Sequence, residues 1–263
     1  MGRRRSKWCY STYIRYLNNG RGQGDLESYL PWITIHDFPS KGKVVRMRGM
    51  KTGRIHHLMS QLEKTFFIML DNDPDVEDIK EQFPLPLSQT QLIAASLHIK
   101  HPVVNGFPYV MTTDFFYKKD GAWHAVQIKP SKDLDDKRIR EKFLIEKTYY
   151  DKIGIDWKVL TENDLSKVTA DNYFWLSSGE TVEKLIPSTS MRKLLSAAFL
   201  ELYQDLSVPF HTIIGEIDCQ CGLMPGTALQ LFKSLALEGS ICLDLTKRIN
   251  TSEPRSLTFV PYA

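Results

Sequence analysis

The sequence has 263 residues, of which 42% are hydrophobic and 25% are charged, a balance typical of a globular protein with one large or two smaller domains. No run approaches the roughly 18 apolar residues of a membrane span, and the first residues lack the apolar core of a secretion signal, so we expect a cytoplasmic protein. The four cysteines are too few and too scattered for a disulfide scaffold, and Cys219 and Cys221 have no second ligand pair nearby.

The net charge of +3 is unevenly distributed, because residues 1–57 contain 12 Lys and Arg against 3 Asp and Glu. Residues 1–24 mix basic and aromatic side chains and end in GRGQG (20–24). The glycines would let backbone N–H groups approach phosphates. Short strands are predicted over 32–35 and 43–48. The segment favours attraction to nucleic acid, and a solvated charged arm is the simpler alternative. The side chains predicted to contact DNA are Arg21, Gln23, Arg46, Arg48, Lys51 and Arg54.

The middle of the chain alternates between helical and strand-like patterns. Apolar residues spaced by three and four predict a helix over 58–70, in which Glu63 lies beside the apolar stripe and could turn inward or outward. This order predicts an α/β fold, a mixed sheet with flanking helices. The elements that follow the first helix are a strand over 75–83, a loop to about residue 108, a hairpin, a helix over 133–152 with a solvated charged face, and a strand over 155–160.

The hairpin is the most informative stretch of the sequence. Two β-rich segments within 109–129 flank an Asp-Gly pair at 120–121, and Asp-Gly between alternating apolar runs is a strong hairpin signal. With this pair as the loop, facing residues have numbers that sum to 241. Asp114 then lies opposite Gln127, and Lys129 lies on the same face one pleat further along. The alternate side chains, which point to the opposite and buried face, are Phe115, Tyr117, Val126 and Ile128.

An acid, an amide and an amine on one face suit the metal-assisted cleavage of a phosphodiester. The carboxylate and amide oxygens fit a hard divalent ion such as Mg²⁺, and the lysine could orient the attacking water or stabilise charge on phosphorus. The alternative is an ordinary hairpin with an edge aspartate and a solvated lysine, because this spacing also arises by chance.

From about residue 167 the pattern changes to a polar connector and then to a second unit. Three helices and a hairpin would resemble a winged-helix module. The third helix offers only Lys233 as a basic residue and the unit is net acidic, so contact with protein is favoured over contact with DNA. The predicted elements are helices over 191–205, 211–220 and 225–238, and strands over 241–245 and 257–260.

Several stretches together carry a family resemblance, and they keep their order and approximate spacing from residue 20 to residue 130. They read GRGQG, YLPWIT, KTGRIHHLMSQLE, DIKEQFPL, IKHPV, VMTTDF and QIKP. In these stretches the chain resembles TnsA, the endonuclease subunit of the heteromeric cut-and-paste transposases of bacterial transposons. The resemblance spans essentially the whole chain and is looser after the first 160 residues.

The resemblance implies a fold and a domain division. A restriction-endonuclease-like catalytic domain, with a mixed sheet and flanking helices, would occupy residues 1–167 together with the basic N-terminal segment. A winged-helix-like α+β domain that binds a partner would occupy residues 168–263.

For the site, the resemblance implies that Glu63, Asp114, Gln127 and Lys129 are catalytic. Glu63, Asp114 and Gln127 would hold metal together with the backbone carbonyl of Ile128, and Lys129 would position the nucleophile or stabilise the transition state. The expected cofactor is Mg²⁺, as two ions, for which Mn²⁺ could substitute.

For the function, the resemblance implies cutting of the 5′, non-transferred strand at transposon ends, in the bacterial cytoplasm. A separate DDE-type transposase subunit would cut and join the 3′ ends, and an AAA+ ATPase regulator would bind the C-terminal domain. Two alternatives remain at this point, a non-catalytic DNA-binding adaptor of a transposition complex and a stand-alone restriction-type endonuclease.

Overall fold

The computed structural model describes residues 8–37 and 44–252, and the chain divides into two compact units, Met1–Leu165 and Ser166–Ala263. Over the described residues, no helix combines the length and apolar character that a membrane span requires. The first unit contains the helices α1 (Tyr10–Asn18), α2 (Gln61–Asn72), α3 (Leu87–Ser96) and α4 (Lys137–Lys152), and the strands β1 (Val45–Arg48), β2 (Ile55–Leu58), β3 (Val76–Pro84), β4 (Val103–Val104), β5 (Phe107–Pro108), β6 (Thr112–Lys119), β7 (Ala122–Ile128) and β8 (Asp156–Leu160).

A four-stranded mixed sheet in the order β3-β6-β7-β8 forms the centre of the first unit. Neighbours among β3, β6 and β7 are antiparallel, whereas β8 runs parallel to β7, since α4 carries the chain back between them. Side chains alternate along β6, so Phe115 packs with Phe66 and Phe67 of α2 on one face, while Phe116 packs with residues of α3 and α4 on the other. The predicted mixed sheet with flanking helices, consistent with a restriction-endonuclease-like fold, is confirmed.

The helices that flank the sheet begin at polar caps. Helix α2 starts at Gln61 rather than at residue 58, because Leu58 still belongs to β2 and the Ser60 hydroxyl accepts a hydrogen bond from the Glu63 backbone N–H at 3.1 Å. Helix α4 starts later than predicted for a similar reason, because the Asp136 carboxylate accepts from the Ile139 N–H at 3.0 Å. Both caps satisfy backbone donors that have no partner within the helix.

Two stretches differ from the sequence predictions. Residues 32–35 form bends instead of a strand, because the buried Trp32 ring packs against Trp8 and Tyr16 in an aromatic cluster that includes α1, a helix not predicted. The predicted loop before residue 108 contains α3 and the β4–β5 hairpin. Pro86 precedes α3, where its missing N–H costs nothing and its carbonyl accepts from the Thr90 N–H at 3.0 Å. The predicted strand residue 43 lies outside the described residues.

A buried ion pair joins β2 to β3. The Arg54 guanidinium donates to both oxygens of the fully buried Glu81 carboxylate, at 2.8 and 2.6 Å, and to the Ile79 carbonyl at 2.7 Å. His56 Nδ1 lies 2.8 Å from Glu81 Oε2, and the His57 backbone N–H donates to Oε1 at 3.1 Å. Although burial raises it, the pKa of Glu81 is held well below its usual range by the charges of His56 and Arg54. The carboxylate is therefore ionised and fully paired.

In the second unit, residues 166–252 are described and form a bundle of five helices: α5 (Lys167–Leu176), α6 (Val182–Leu185), α7 (Thr189–Gln204), α8 (Phe210–Gln220) and α9 (Thr227–Leu237). Helices α7, α8 and α9 match the three predicted helices within two residues at either end, whereas α5 and α6 lie in the predicted connector. Their core includes the fully buried rings of Phe199 and Phe232. The Asp218 carboxylate accepts from the N–H groups of Gly226 and Ala228, at 2.6 and 2.8 Å, and so caps α9.

The predicted strand over 241–245 is not formed in the described residues. Only Leu243 makes an isolated β-bridge, while the Asn172 side chain of α5 donates to the carbonyls of Leu245 and Lys247 at 2.9 and 2.7 Å. These bonds tie the segment to α5. The other predicted strand, 257–260, lies outside the described residues.

We expect Glu81→Gln to lower the free energy of unfolding by about 3–5 kcal/mol, since it leaves the Arg54 guanidinium buried without its charged partner. Differential scanning calorimetry of the full chain measures the loss. The matched control is Lys147→Ala, which breaks the exposed ion pair with Asp151 on α4 and should cost less than about 1 kcal/mol. Equal losses in the two variants would contradict the structural role of Glu81.

Candidate active site

The β6–β7 hairpin has the predicted register. Phe115 pairs with Val126 and Lys119 pairs with Ala122, so facing residue numbers sum to 241. Backbone pairing between β6 and β7 ends at Phe115 and Val126, and at the next position side chains bind the backbone N–H groups instead. The Asp114 N–H donates to Gln127 Oε1 at 3.0 Å, and the Ile128 N–H donates to Asp114 Oδ2 at 2.9 Å. Asp114 and Gln127 therefore face each other, as the sequence predicts, with the Gln127 side chain bound to the Asp114 backbone and the Asp114 side chain bound to the Ile128 backbone.

Glu63 turns inward, which the sequence left open. It lies in the first turn of α2 and is 5% exposed. Its carboxylate folds back toward the start of the helix and accepts from the Met59 N–H at 2.9 Å. The helix N-terminus favours a negative charge at this position. The cap at Ser60 thus directs Glu63 away from solvent.

One cleft of about 500 Å³ brings the predicted catalytic residues together. Glu63 comes from α2, Asp114 from β6, Gln127 from β7, and Lys129 from the residue that follows β7. Ile128 also borders the cleft. Four residues from three separate elements converge on one space, although hairpin geometry alone accounts for only three of them.

The carboxylates of Glu63 and Asp114 repel each other in the cleft. Burial and the charge of Asp114 raise the pKa of Glu63 to about 8. Burial also raises the pKa of Asp114, although the nearby Lys129 ammonium and the Ile128 hydrogen bond lower it in part. Two buried acids that repel each other, with one lysine beside them, form a site that a cation would stabilise.

The donor set in the cleft fits a hard divalent ion. It offers two carboxylates, the Gln127 amide oxygen and the Ile128 backbone carbonyl, all of them oxygens, which Mg²⁺ and Mn²⁺ prefer. Among the described residues there is no group of three or more His, Cys, Asp or Glu able to hold a metal. A site here would therefore depend on neutral oxygens besides the two acids.

Two polar residues near the cleft were not found from the sequence. Gln82 of β3 is 5% exposed, and its Nε2 donates to Asp114 Oδ1 at 3.1 Å. Glu146 of α4 belongs to the face predicted to be solvated, but it is 2% exposed and accepts from the Thr113 hydroxyl at 2.6 Å. Burial raises the pKa of Glu146 to about 8. No local pattern signals either residue, because their neighbours in the fold are distant in sequence.

The arginines predicted to contact DNA differ in their surroundings. Arg54 is 8% exposed and its guanidinium is used by Glu81, so this prediction is corrected. Arg21 donates to Asp37 and to the Trp32 carbonyl, both at 2.7–2.8 Å, and lies 3.7 Å above the Tyr16 ring, which indicates a structural role.

The other predicted DNA contacts remain predictions. Gln23, Arg46 and Arg48 are exposed, and Lys51 is half-exposed. In the glycine segment, by contrast, the backbone N–H groups of residues 20–23 donate to carbonyls within the chain. The N–H of Gly22 donates to the Leu30 carbonyl at 2.6 Å. A Cβ on Gly22 would lie 2.2 Å from Pro84 Cγ, so glycine is required there for packing against the end of β3.

Comparison with known proteins identifies related sequences. Residues 73–162 match the family described as TnsA-like endonuclease N terminal, and residues 164–245 match the family described as TnsA endonuclease C terminal. The chain is 34% identical over 256 residues to the transposon Tn7 transposition protein TnsA of Escherichia coli, an alignment that covers 96% of this chain and 93% of that protein.

The raised pKa of Glu63 predicts how the stability of the metal-free protein depends on pH. The folded-state pKa of about 8 exceeds the ordinary value of 4.5, so the folded state binds the extra proton between these pH values and loses stability as pH rises through them. Glu63→Gln removes this loss. As pH rises from 5 to 8.5, we expect the free energy of unfolding of Glu63→Gln to increase relative to that of the wild type by at least about 1 kcal/mol, since each pKa unit corresponds to about 1.4 kcal/mol.

Thermal unfolding without divalent ions, at pH 5 and pH 8.5, measures this difference. Glu27→Gln, which changes an exposed carboxylate in the same unit, gives the baseline. Parallel pH profiles for the wild type and Glu63→Gln would show that Glu63 does not carry the raised pKa.

Proposed function

The chain belongs to the TnsA endonuclease family, and from this we propose that it is the DNA endonuclease subunit of a transposase that cuts the 5′, non-transferred strand at transposon ends with Mg²⁺. The observation that carries the proposal is the single cleft that Glu63, Asp114, Gln127 and Lys129 line together. The chemistry below follows from the groups in that cleft.

The residues that would hold the ions are Glu63, Asp114, Gln127 and Ile128, through oxygen atoms only. The cleft volume of about 500 Å³ is large enough for two ions. When bound, the divalent ions supply positive charge that polarises the scissile phosphate and makes a water molecule a stronger nucleophile. The repulsion between the two carboxylates is relieved by such a cation, which favours its binding.

Lys129 contributes a positive charge to the same cleft. Its ammonium can donate hydrogen bonds to a non-bridging phosphate oxygen, where negative charge increases as the water attacks. The water oxygen forms a bond to phosphorus, and the bond from phosphorus to the 3′ oxygen breaks. The attacking water gives up a proton to solvent and the 3′ oxygen takes one from solvent, so the products are a 5′ phosphate and a 3′ hydroxyl.

We expect the second unit to bind protein partners, an AAA+ ATPase regulator among them, while a DDE-type transposase subunit acts at the 3′ ends. Lys233, the basic residue of α9, supports this because it does not face a DNA groove. It is 5% exposed, its ammonium donates to the Ser178 carbonyl at 3.1 Å, and it lies 4.5 Å above the Trp175 ring. The side chain is held within the unit and is not available to read bases.

Asp114→Asn tests the nuclease assignment in the complex assembled with the transposase subunit of the same transposon. The substrate is a transposon-end duplex labelled separately on each strand, and denaturing gels report each cut. We expect 5′-strand cleavage to fall by about 10²-fold or more while 3′ cleavage continues, because Asn removes charge from the site but keeps one acceptor for the Ile128 N–H.

Two further variants define the result. Lys129→Ala should also reduce 5′ cleavage, whereas Lys147→Ala, on the exposed surface of α4, should not. If Asp114→Asn cuts the 5′ strand at the wild-type rate, the chain is an adaptor and not the nuclease. Efficient cleavage by the purified chain alone would instead indicate a stand-alone endonuclease.

A further inference from the structure

Gln82 has a backbone conformation that is unusual for a strand. Its φ is +49°, in the left-handed region that favours glycine, although it lies between Glu81 and Phe83 in β3. The other described non-glycine residues with positive φ lie in turns or at helix ends. Such strain persists only where the surrounding structure imposes it, and it occurs most often at functional sites.

The N-terminal segment imposes this conformation from one side. The Tyr29 hydroxyl donates to the Glu81 carbonyl at 3.1 Å, and the Trp32 N–H donates to the Gln82 carbonyl at 3.3 Å. Both Tyr29 and Trp32 are at most 2% exposed. Two consecutive carbonyls of β3 are therefore bound by a separate, buried part of the chain.

The consequence is a defined orientation of the Gln82 side-chain amide. The Thr112 hydroxyl donates to Gln82 Oε1 at 3.0 Å. The other end of the amide faces an Asp114 carboxylate oxygen, which as an anion can only accept, so the carboxylate identifies which end of the amide is the nitrogen. The amide nitrogen then donates to Asp114 Oδ1 at 3.1 Å. Rotation of the amide would turn its oxygen toward the Asp114 carboxylate and lose the bond to Oδ1.

Asp114 is thereby held at both oxygens. Oδ1 accepts from Gln82 and Oδ2 accepts from the Ile128 N–H at 2.9 Å, which fixes the plane of the carboxylate. Each carboxylate oxygen has a second acceptor direction, and Asp114 and Gln82 both line the candidate active site. An uncharged donor suits this position, because a lysine or arginine would pair with Asp114 and compete with a cation.

We propose that Gln82 is a positioning residue, which holds the Asp114 carboxylate in the orientation that receives a divalent cation in the cleft. The inference rests on the proposed function, since it concerns the metal site of that nuclease. The alternative is that Gln82 only joins β3 to β6 and has no effect on the ion.

Binding of Mn²⁺ to the metal-free full chain, measured by isothermal titration calorimetry, separates these possibilities. Gln82→Met keeps the side-chain length and removes both hydrogen bonds, and we expect it to weaken Mn²⁺ binding by about 10–100-fold, the usual effect of losing a partner that orients a metal ligand. Thr112→Val leaves the bond from Gln82 to Asp114 possible but removes the hydroxyl that holds Gln82 Oε1, so a smaller loss, about threefold or more, is expected. The matched control is Gln91→Met, an exposed glutamine on α3, which should bind Mn²⁺ like the wild type.

Mn²⁺ affinity equal to the wild type within twofold, in a folded Gln82→Met protein, overturns the proposal. If Gln82→Met does not fold, Thr112→Val decides, and wild-type affinity in that variant overturns the proposal equally. Asp114→Asn separates this inference from the proposed function. If Asp114→Asn binds Mn²⁺ normally, the metal site itself is wrong; if it loses binding while Gln82→Met does not, only the role of Gln82 fails.

Discussion

The geometry of the first unit depends on the buried Glu81 carboxylate. Its two oxygens bind Arg54, His56 and the His57 backbone, so β2 is attached to β3 at one point in the interior. Such a pair contributes less to stability than its charges suggest, because both ions lose their hydration. Its main effect is positional, since removal of either partner would leave the other charge buried.

Both sides of the candidate active site follow from this attachment. Only Met59 and Ser60 separate β2 from α2, so fixing β2 also fixes the first turn of α2, from which Glu63 enters the cleft. On β3, the residue after Glu81 is Gln82, which binds Asp114. The acid from the helix and the acid from the sheet therefore meet because a separate ion pair locates the elements that carry them.

The sequence predicts those parts of the site that local chemistry determines. The Asp-Gly turn sets the hairpin register, and the register sets Asp114 opposite Gln127, without information from the rest of the chain. The orientation of Glu63 could not be derived in this way, because it depends on where the end of the sheet lies relative to α2. The sequence predicts that Arg54 contacts DNA, because its actual partner, Glu81, is 27 residues away and becomes a neighbour only when β2 meets β3.

The same limit explains the errors in secondary structure. The run at 32–35 has strand-forming residues, but the Trp32 ring packs in the aromatic cluster with Trp8 and Tyr16. Helix α3 follows prolines and has little amphipathic pattern, so its burial is not visible in the sequence. Helices α7, α8 and α9 were found because each has a clear apolar stripe that builds a local core.

At the open end of the hairpin, the side chains of Asp114 and Gln127, which are proposed for catalysis, bind backbone N–H groups that would otherwise need a carbonyl of the facing strand. The Asp114 N–H is satisfied by Gln127 and the Ile128 N–H by Asp114, so the same atoms serve the strand ends and the cleft. This overlap constrains how the protein can evolve. A descendant that gives up cleavage still needs acceptors for two buried N–H groups, so acidic or amide side chains should persist at these two positions by purifying selection on folding even where the nuclease activity is no longer needed.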